Sequence, residues 1–266
     1  MSESMNTPTS STRLDGRVVL ISGAGSGIGR GLAQAFAASG ARVVVTARRL
    51  DTGRATLDLI EAEGAEGLAV EMDVTRRSQV DAAEASALER FGRLDIVIHN
   101  ANAGNESALP IPLENITDEL WDRQARVSWD GAFNLAQASF AALKASGQGR
   151  LVMLGSAFGL HGAAMNPIYS SLKGGQRGFV KSLAREWGPH GITVNAVQPA
   201  AVTEPTEVFF NQYPAVRDQY LANFSMRRMG DPRQDIGRAV VAMCGGDFGF
   251  VTAQSIQIDG GLYTAL

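Results

Sequence analysis

Tyr169 and Lys173 stand four residues apart in a segment of helical pattern, which puts both on one face of a helix. A phenol beside an ammonium can do acid/base chemistry. The ordinary tyrosine hydroxyl titrates near ~10, and a neighbouring cation favours the phenolate. The pair alone is a weak signal. Ser156 strengthens it, because it lies thirteen positions upstream at the end of an apolar strand-like run. A serine at the carboxyl end of a strand can donate to the same carbonyl oxygen that a tyrosine protonates.

A second cluster lies near the N-terminus, where Ser22-Gly23-Ala24-Gly25-Ser26-Gly27-Ile28-Gly29 joins an apolar run to a helical pattern. Glycines let the backbone turn sharply and approach a pyrophosphate, and the helix behind them offers N–H donors and a positive dipole end. At the end of the next apolar run, NAD binders place a carboxylate for the ribose hydroxyls. This chain has Thr46-Ala47-Arg48-Arg49 there, with no acid before Asp51. Two guanidiniums favour a 2′-phosphate, which arginine pairs bidentately. NADP is the expected cofactor, with NAD possible. Asp73 is expected to accept a hydrogen bond from the adenine amino group, with Val74 beside the ring.

The elements that must position these groups are legible as an alternation. Apolar runs begin near Arg17, Ala41, Gly67, Leu94, Gly149, Gly191 and Gln254. Such runs, apolar at nearly every position, suit a parallel sheet covered on both faces. Helical patterns lie between them at Gly29–Gly40, Ser78–Phe91, Thr117–Ser146 and Tyr169–Trp187, with Gly40 where a C-terminal cap would sit. The alternation implies an α/β fold, a single doubly wound parallel sheet of about seven strands. Residues 1–12 read as a flexible polar tail and 13–266 as one domain. The segment from about 203 to 228 reads either as a substrate lid or as a packed helical pair.

Composition narrows the function classes. The 266 residues carry 24 Lys+Arg against 27 Asp+Glu, a net charge of -3, which argues against nucleic acid or an anionic membrane as partner. One cysteine, Cys244, excludes an internal disulfide and a cysteine-built zinc site. No apolar run approaches the ~18–20 residues that span a bilayer. The N-terminus lacks a secretory pattern, and a cytoplasmic location is expected.

Taken together, the motifs resemble the short-chain dehydrogenase/reductase family over nearly everything from Leu14 to Tyr263. Ser22-Gly23-(x)3-Gly27-Ile28-Gly29 is similar to its TGxxxGxG turn, and Ser156, Tyr169 and Lys173 match its catalytic set. Val251-Thr252 and Ile258-Asp259-Gly260-Gly261 resemble its closing strand. The resemblance implies NAD(P)-dependent hydride transfer between nicotinamide and a carbonyl or alcohol carbon. Tyr169 would be the acid/base and Ser156 would orient the carbonyl. Lys173 would hold the nicotinamide ribose and lower the tyrosine pKa. Asn100, Ala101, Pro199 and Val202 would line the cofactor. A homotetramer or homodimer built on the helices of Trp121–Leu143 and Tyr169–Trp187 is also implied.

Several positions depart from the family pattern. Its Asn-Asn-Ala-Gly reads His99-Asn100-Ala101-Asn102, with Asn102 expected to replace glycine in a left-handed conformation and His99 expected to be packed or solvated. Its fourth catalytic residue, an Asn that stabilises a helix kink and holds a relay water, falls on Ser128. Its Pro-Gly reads Pro199-Ala200, and its nicotinamide threonine aligns with Glu204, a carboxylate unfavourable near a pyrophosphate unless turned outward. Its Thr-Gly-Gln reads Thr252-Ala253-Gln254. These departures keep open a catalytically weak, dinucleotide-binding sensor or scaffold.

The substrate is expected to be a small carbonyl or alcohol, contacted by Ser156, Phe158, Tyr169 and Phe209. The aromatic residues Phe209, Phe210, Tyr213, Tyr220 and Phe224 suit a hydrophobic or ring-containing compound. Spaced by four, Phe209/Tyr213 and Tyr220/Phe224 equally suit helix packing.

Overall fold

The computed structural model describes residues 13–104 and 110–263, and the tail expected at 1–12 lies outside them. The strands are β1 Val18–Ile21, β2 Arg42–Ala47, β3 Gly67–Glu71, β4 Ile96–His99, β5 Arg150–Leu154, β6 Thr193–Pro199 and β7 Ser255–Ile258. Between them run α1 Gly27–Ala38, α2 Leu50–Glu61, α3 Arg77–Phe91, α4 Asp118–Ala125 and α5 Gly131–Ala145. The later helices are α6 Phe158–His161, α7 Pro167–Trp187, α8 Glu204–Gln212, α9 Pro214–Leu221 and α10 Arg238–Cys244.

The strands form one parallel sheet in the order β3-β2-β1-β4-β5-β6-β7. Side chains alternate between sheet faces. Val19, Ile21, Val43 and Val45 therefore enter one core, and Val18, Leu20 and Val44 the other. Strands apolar on both faces need cover on both. Leu32 and Phe36 of α1, Ile60 of α2 and Val240 of α10 cover the first. Val80 of α3, Leu135 of α5 and Val180 of α7 cover the second. This is the doubly wound sheet expected from the alternation.

At β1 the chain switches direction across the sheet, since β1 pairs with β2 on one side and β4 on the other. A crevice opens there at the carboxyl ends of the strands, where ligands of such sheets bind. Gly40, with φ of 89°, follows α1 as anticipated.

The long helix expected over 117–146 is interrupted. Thr117 caps its start by accepting from the Leu120 N–H at 3.3 Å, but Arg126–Asp130 forms a π-helical turn between α4 and α5. Trp129 lies in that turn and packs on Gly175 of α7, where an added Cβ would stand 2.2 Å from the indole. The segment 203–228 contains the helical pair α8 and α9. No helix among the described residues is long and apolar enough to cross a membrane.

Candidate active site

Ser156 follows the end of β5, and α7 begins at Pro167, whose fixed φ suits a first helical turn. That start places Tyr169 in the first turn and Lys173 in the next, as their spacing requires. The Ser156 hydroxyl lies close enough to the Tyr169 phenol to favour its ionised form, and Phe158 meets the tyrosine ring edge-on with centroids 6.1 Å apart. The Ser156 hydroxyl also accepts from the Phe158 N–H at 3.2 Å. Gly159 lets α6 lie directly on α7, because an added Cβ would come within 2.5 Å of the Lys173 carbonyl carbon.

Lys173 is buried, with Nζ 5.7 Å from the centre of the Tyr169 ring and donating to the Leu154 carbonyl at 2.6 Å. Burial pushes its pKa down to about 8. The expected lowering of the tyrosine is not what the structure gives. Burial raises the Tyr169 phenol above its ordinary value, opposed by the neighbouring Ser156 hydroxyl. Lys173 turns its ammonium to a backbone carbonyl, so desolvation wins. The result is a protonated phenol at neutral pH, held beside a serine hydroxyl at a strand end, an arrangement able to give a proton to a carbonyl oxygen.

At the other end of the crevice the glycine turn is tied to β4. The Ser22 hydroxyl accepts from the N–H groups of Asn100 at 3.0 Å and Ala101 at 3.1 Å. The Asn100 amide in turn donates to the carbonyls of Ser22 and Gly23 at 3.1 and 2.9 Å. Gly23 has φ of 65°, and a Cβ there would sit 2.9 Å from the Ala101 Cα. A Cβ on Gly25 would stand 2.6 Å from the Thr52 hydroxyl, and one on Gly29 would stand 2.2 Å from the Gly23 carbonyl oxygen. Side chains at these positions would fill or distort the cradle. Ser26 is the N-cap of α1 with no side-chain cap bond, and Ile28 packs on the first core. Bare backbone at a helix N-terminus fits a dinucleotide pyrophosphate. Among the described residues no group of His, Cys, Asp and Glu could hold a metal ion.

A family model described as enoyl-(acyl carrier protein) reductase matches residues 23–263. The 12alpha-hydroxysteroid dehydrogenase of Clostridium sp. is 34% identical over 258 residues, covering 93% of this chain and 97% of that protein. A gluconate 5-dehydrogenase from Burkholderia cenocepacia, solved with NADP and tartrate, superposes with a TM-score of 0.87 at 28% identity, covering 96% and 98% of the two chains. A 3-ketoacyl-(acyl-carrier-protein) reductase from Brucella melitensis, solved with NADH, gives 0.84 at 29%, covering 94% and 99%. The chain is a short-chain dehydrogenase/reductase. Membership makes it an oxidoreductase that works with a dinucleotide cofactor, and its sheet is the Rossmann-type sheet of that family.

Against the family pattern, each departure has a structural outcome. His99 is packed: it is 1% exposed, under α5. Asn102 does not take the left-handed conformation, and its side chain accepts from the Gly104 N–H at 2.8 Å instead. The left-handed alanine is Ala253, φ 62°, at the family's closing glycine. A π-turn stands where the family asparagine would sit. Ser128 is buried there, and its carbonyl accepts from Gln176 Nε2 at 3.3 Å.

Glu204 does not turn away from the glycine turn. Its carboxylate lies 3.8 Å from a Cβ built on Gly27 (φ 52°), and its charge is met by Arg30 at 3.2 Å. Arg30 also donates to the Gly25 carbonyl at 2.7 Å. An ion pair, unforeseen from spacing, thus fastens the start of α8 over the turn. Thr203 packs on Gly27, and its hydroxyl meets that of Thr206 at 3.0 Å. Pro199 closes β6, and Val202 is held by the Gly230 carbonyl at 2.9 Å.

The two arginines that follow β2 differ. Arg49 is paired with Asp51, while the exposed Arg48 has no hydrogen bond or ion pair among the described residues. The Asp73 carboxylate accepts from the Thr75 N–H at 3.0 Å and hydroxyl at 2.8 Å. The Val74 side chain is buried in the second core against Gly131.

At the end of α6, His161 stacks on Tyr263 with centroids 4.8 Å apart. Burial and then Tyr263 raise the pKa of Tyr220, whose ring contacts Phe210 and Phe224. The helix-packing reading of the aromatic residues therefore holds for Phe224, which is buried. Phe209 packs on Phe210 and Tyr213 and is 46% exposed. A cavity of about 1040 Å³ between α1, α10 and β7, lined by Arg13, Arg228 and Arg233, includes none of the expected site residues.

Proposed function

We propose that this short-chain dehydrogenase/reductase is an NADP-preferring carbonyl reductase or alcohol dehydrogenase for a hydrophobic, ring-containing substrate. The observation that carries the reading is the gathering of Ser156, Tyr169 and a buried Lys173 at the carboxyl end of the sheet, with the lysine ammonium 5.7 Å from the centre of the tyrosine ring. Bound NADP(H) supplies the hydride chemistry. The Ser156 hydroxyl orients the substrate oxygen, and Tyr169 gives it a proton in reduction or takes one in oxidation. Lys173, its ammonium near the Tyr169 ring, would hold the nicotinamide ribose and return a proton to the phenolate left behind. The raised phenol suits the reducing direction near neutrality.

Arg48 supports the choice of NADP, because a free guanidinium follows β2 where a 2′-phosphate would need one. The wall of His161, Tyr263, Tyr220 and Phe210 supports an apolar ring-containing compound. One relative of similar identity is named for a steroid, which belongs to that class, whereas another is named for gluconate, which does not.

The test is NADPH and NADH oxidation over a panel of cyclic ketones and aldehydes. Wild type is expected to turn over with NADPH, and Tyr169→Phe to lose on the order of a hundredfold or more in kcat while still binding the cofactor. Tight NADPH binding without turnover in either direction would instead support the sensor or scaffold reading.

A further inference from the structure

His99 ends β4 with its side chain on the α5 and α7 side of the sheet, and its hydrogen bonding fixes where its proton sits. The Ser22 hydroxyl already accepts from the Asn100 and Ala101 N–H groups, at 3.0 and 3.1 Å. A hydroxyl has two lone pairs and one proton. With both lone pairs engaged, its proton goes to His99 Nδ1, 3.3 Å away. The imidazole is neutral, since burial and the nearby Lys173 charge push its pKa down to about 3. The ring's own proton is therefore on Nε2.

That Nε2–H is buried and meets no acceptor among the described residues. An unmet buried donor is costly, by roughly 1–3 kcal/mol, and such groups ordinarily mark an internal water. The neighbouring ring atom, Cε1, lies 3.3 Å from a Cβ built on Gly131, so this edge faces the end of the π-turn Arg126–Asp130. The same turn presents the Ser128 carbonyl to Gln176 of α7, and Gln176 Oε1 is also buried without a partner. Lys173 lies three residues before Gln176 on that helix. An unmet donor from β4 and, from α7, an unmet acceptor and a buried ammonium thus come with the π-turn onto one side of the sheet.

Resting on the acid/base reading of Tyr169 above, we propose that His99 is a positioning residue whose Nε2–H holds an internal water between the π-turn and Lys173. A buried Tyr169–Lys173 pair must exchange its proton with solvent once per turnover. In reduction the phenol gives its proton to the substrate oxygen, and the water, oriented by His99, restores a proton on the Lys173 side and is itself re-protonated from solvent. His99 stays neutral throughout and keeps its Nε2–H.

Two substitutions separate this from a packing role. His99→Asn keeps a short amide near Nδ1, facing Ser22, and lacks the far donor. His99→Gln carries an amide nitrogen out to the Nε2 position. With NADPH and a turned-over ketone, His99→Asn is expected to lower kcat by about tenfold or more with KM unchanged. Its solvent deuterium isotope effect on kcat should rise, and His99→Gln should restore both. Wild-type kcat and isotope effect in His99→Asn would overturn the proposal, as would equal losses in both variants with a raised KM or a lowered Tm. Imidazole 15N NMR of the wild-type chain without cofactor needs no activity: it should find Nε2 protonated and Nδ1 bare at neutral pH, and the opposite tautomer also overturns the proposal. If wild type itself turns over no carbonyl, or Tyr169→Phe stays active, the acid/base reading fails instead, and the NMR result still stands by itself.

Discussion

Arg48 and Arg49 are adjacent in sequence and unlike in circumstance. Arg49 already has a carboxylate partner in Asp51, whereas Arg48 extends from the end of β2 unpaired. A charge-assisted hydrogen bond to a phosphate is worth ~1.5–3 kcal/mol, about tenfold or more in affinity. Arg48→Ala should therefore weaken NADPH binding by about that factor and leave NADH unchanged, while Arg49→Ala should do much less. Fluorescence titration with both cofactors measures this, and equal losses for NADPH and NADH would sink the assignment. Lys173 sets the second expectation. Its pKa is pushed down to about 8, so the ammonium is present below that pH and lost as pH rises through it. The kcat/KM of the free enzyme should fall on the alkaline side with a midpoint near 8, well below the ordinary lysine value. A flat profile to pH 10 would show that the Lys173 charge is not needed.

The connection into β7 carries a local cost that one substitution can measure. Ala253 holds a left-handed φ of 62° and donates from its N–H to Val194 at 2.8 Å, so the backbone cannot relax without losing that bond. Glycine has no Cβ to strain there. Ala253→Gly should stabilise the fold by about 1 kcal/mol in urea unfolding, and a loss of stability would mean that the alanine methyl packs more than it strains. The strands were legible in sequence because both-face burial makes them nearly continuous apolar runs, as in β1 and β2. The expected catalytic trio was legible because Tyr169 and Lys173 share a helix and Ser156 ends a strand. Other parts had no local signal. Helix α2 buries Gly53, Thr56 and Ile60, so only one large apolar side chain marks its buried face. The π-turn at Arg126–Asp130 forms where α4 and α5 meet α7, and no short motif announces it. Arg30 and Glu204 are 174 positions apart, and only the sheet brings them together.

The two edges of the sheet are managed differently, and that difference bears on how the whole molecule assembles. At the β3 edge, Glu66 pairs with Arg42 and Arg90, and Glu71 is exposed, so charge discourages another strand from joining. At the β7 edge the chain presents Phe250 with its side chain fully exposed, at 102%. A second apolar surface lies on α4 and α5, where Trp121 and Phe133 are 43% and 51% exposed. Exposed aromatic residues beside an unpaired strand edge and on a helix face suit contacts between copies of one chain. Two distinct surfaces would build a tetramer and one a dimer. Sedimentation equilibrium should therefore give a mass at least twice the 28.1 kDa of the chain. Phe250→Glu should remove the contact at the β7 edge and Phe133→Glu the one on the helices, each lowering the mass without unfolding the protomer. If both variants keep the wild-type mass, the interfaces lie elsewhere. A wild-type monomer at high micromolar concentration would show that these aromatic side chains are simply tolerated in water.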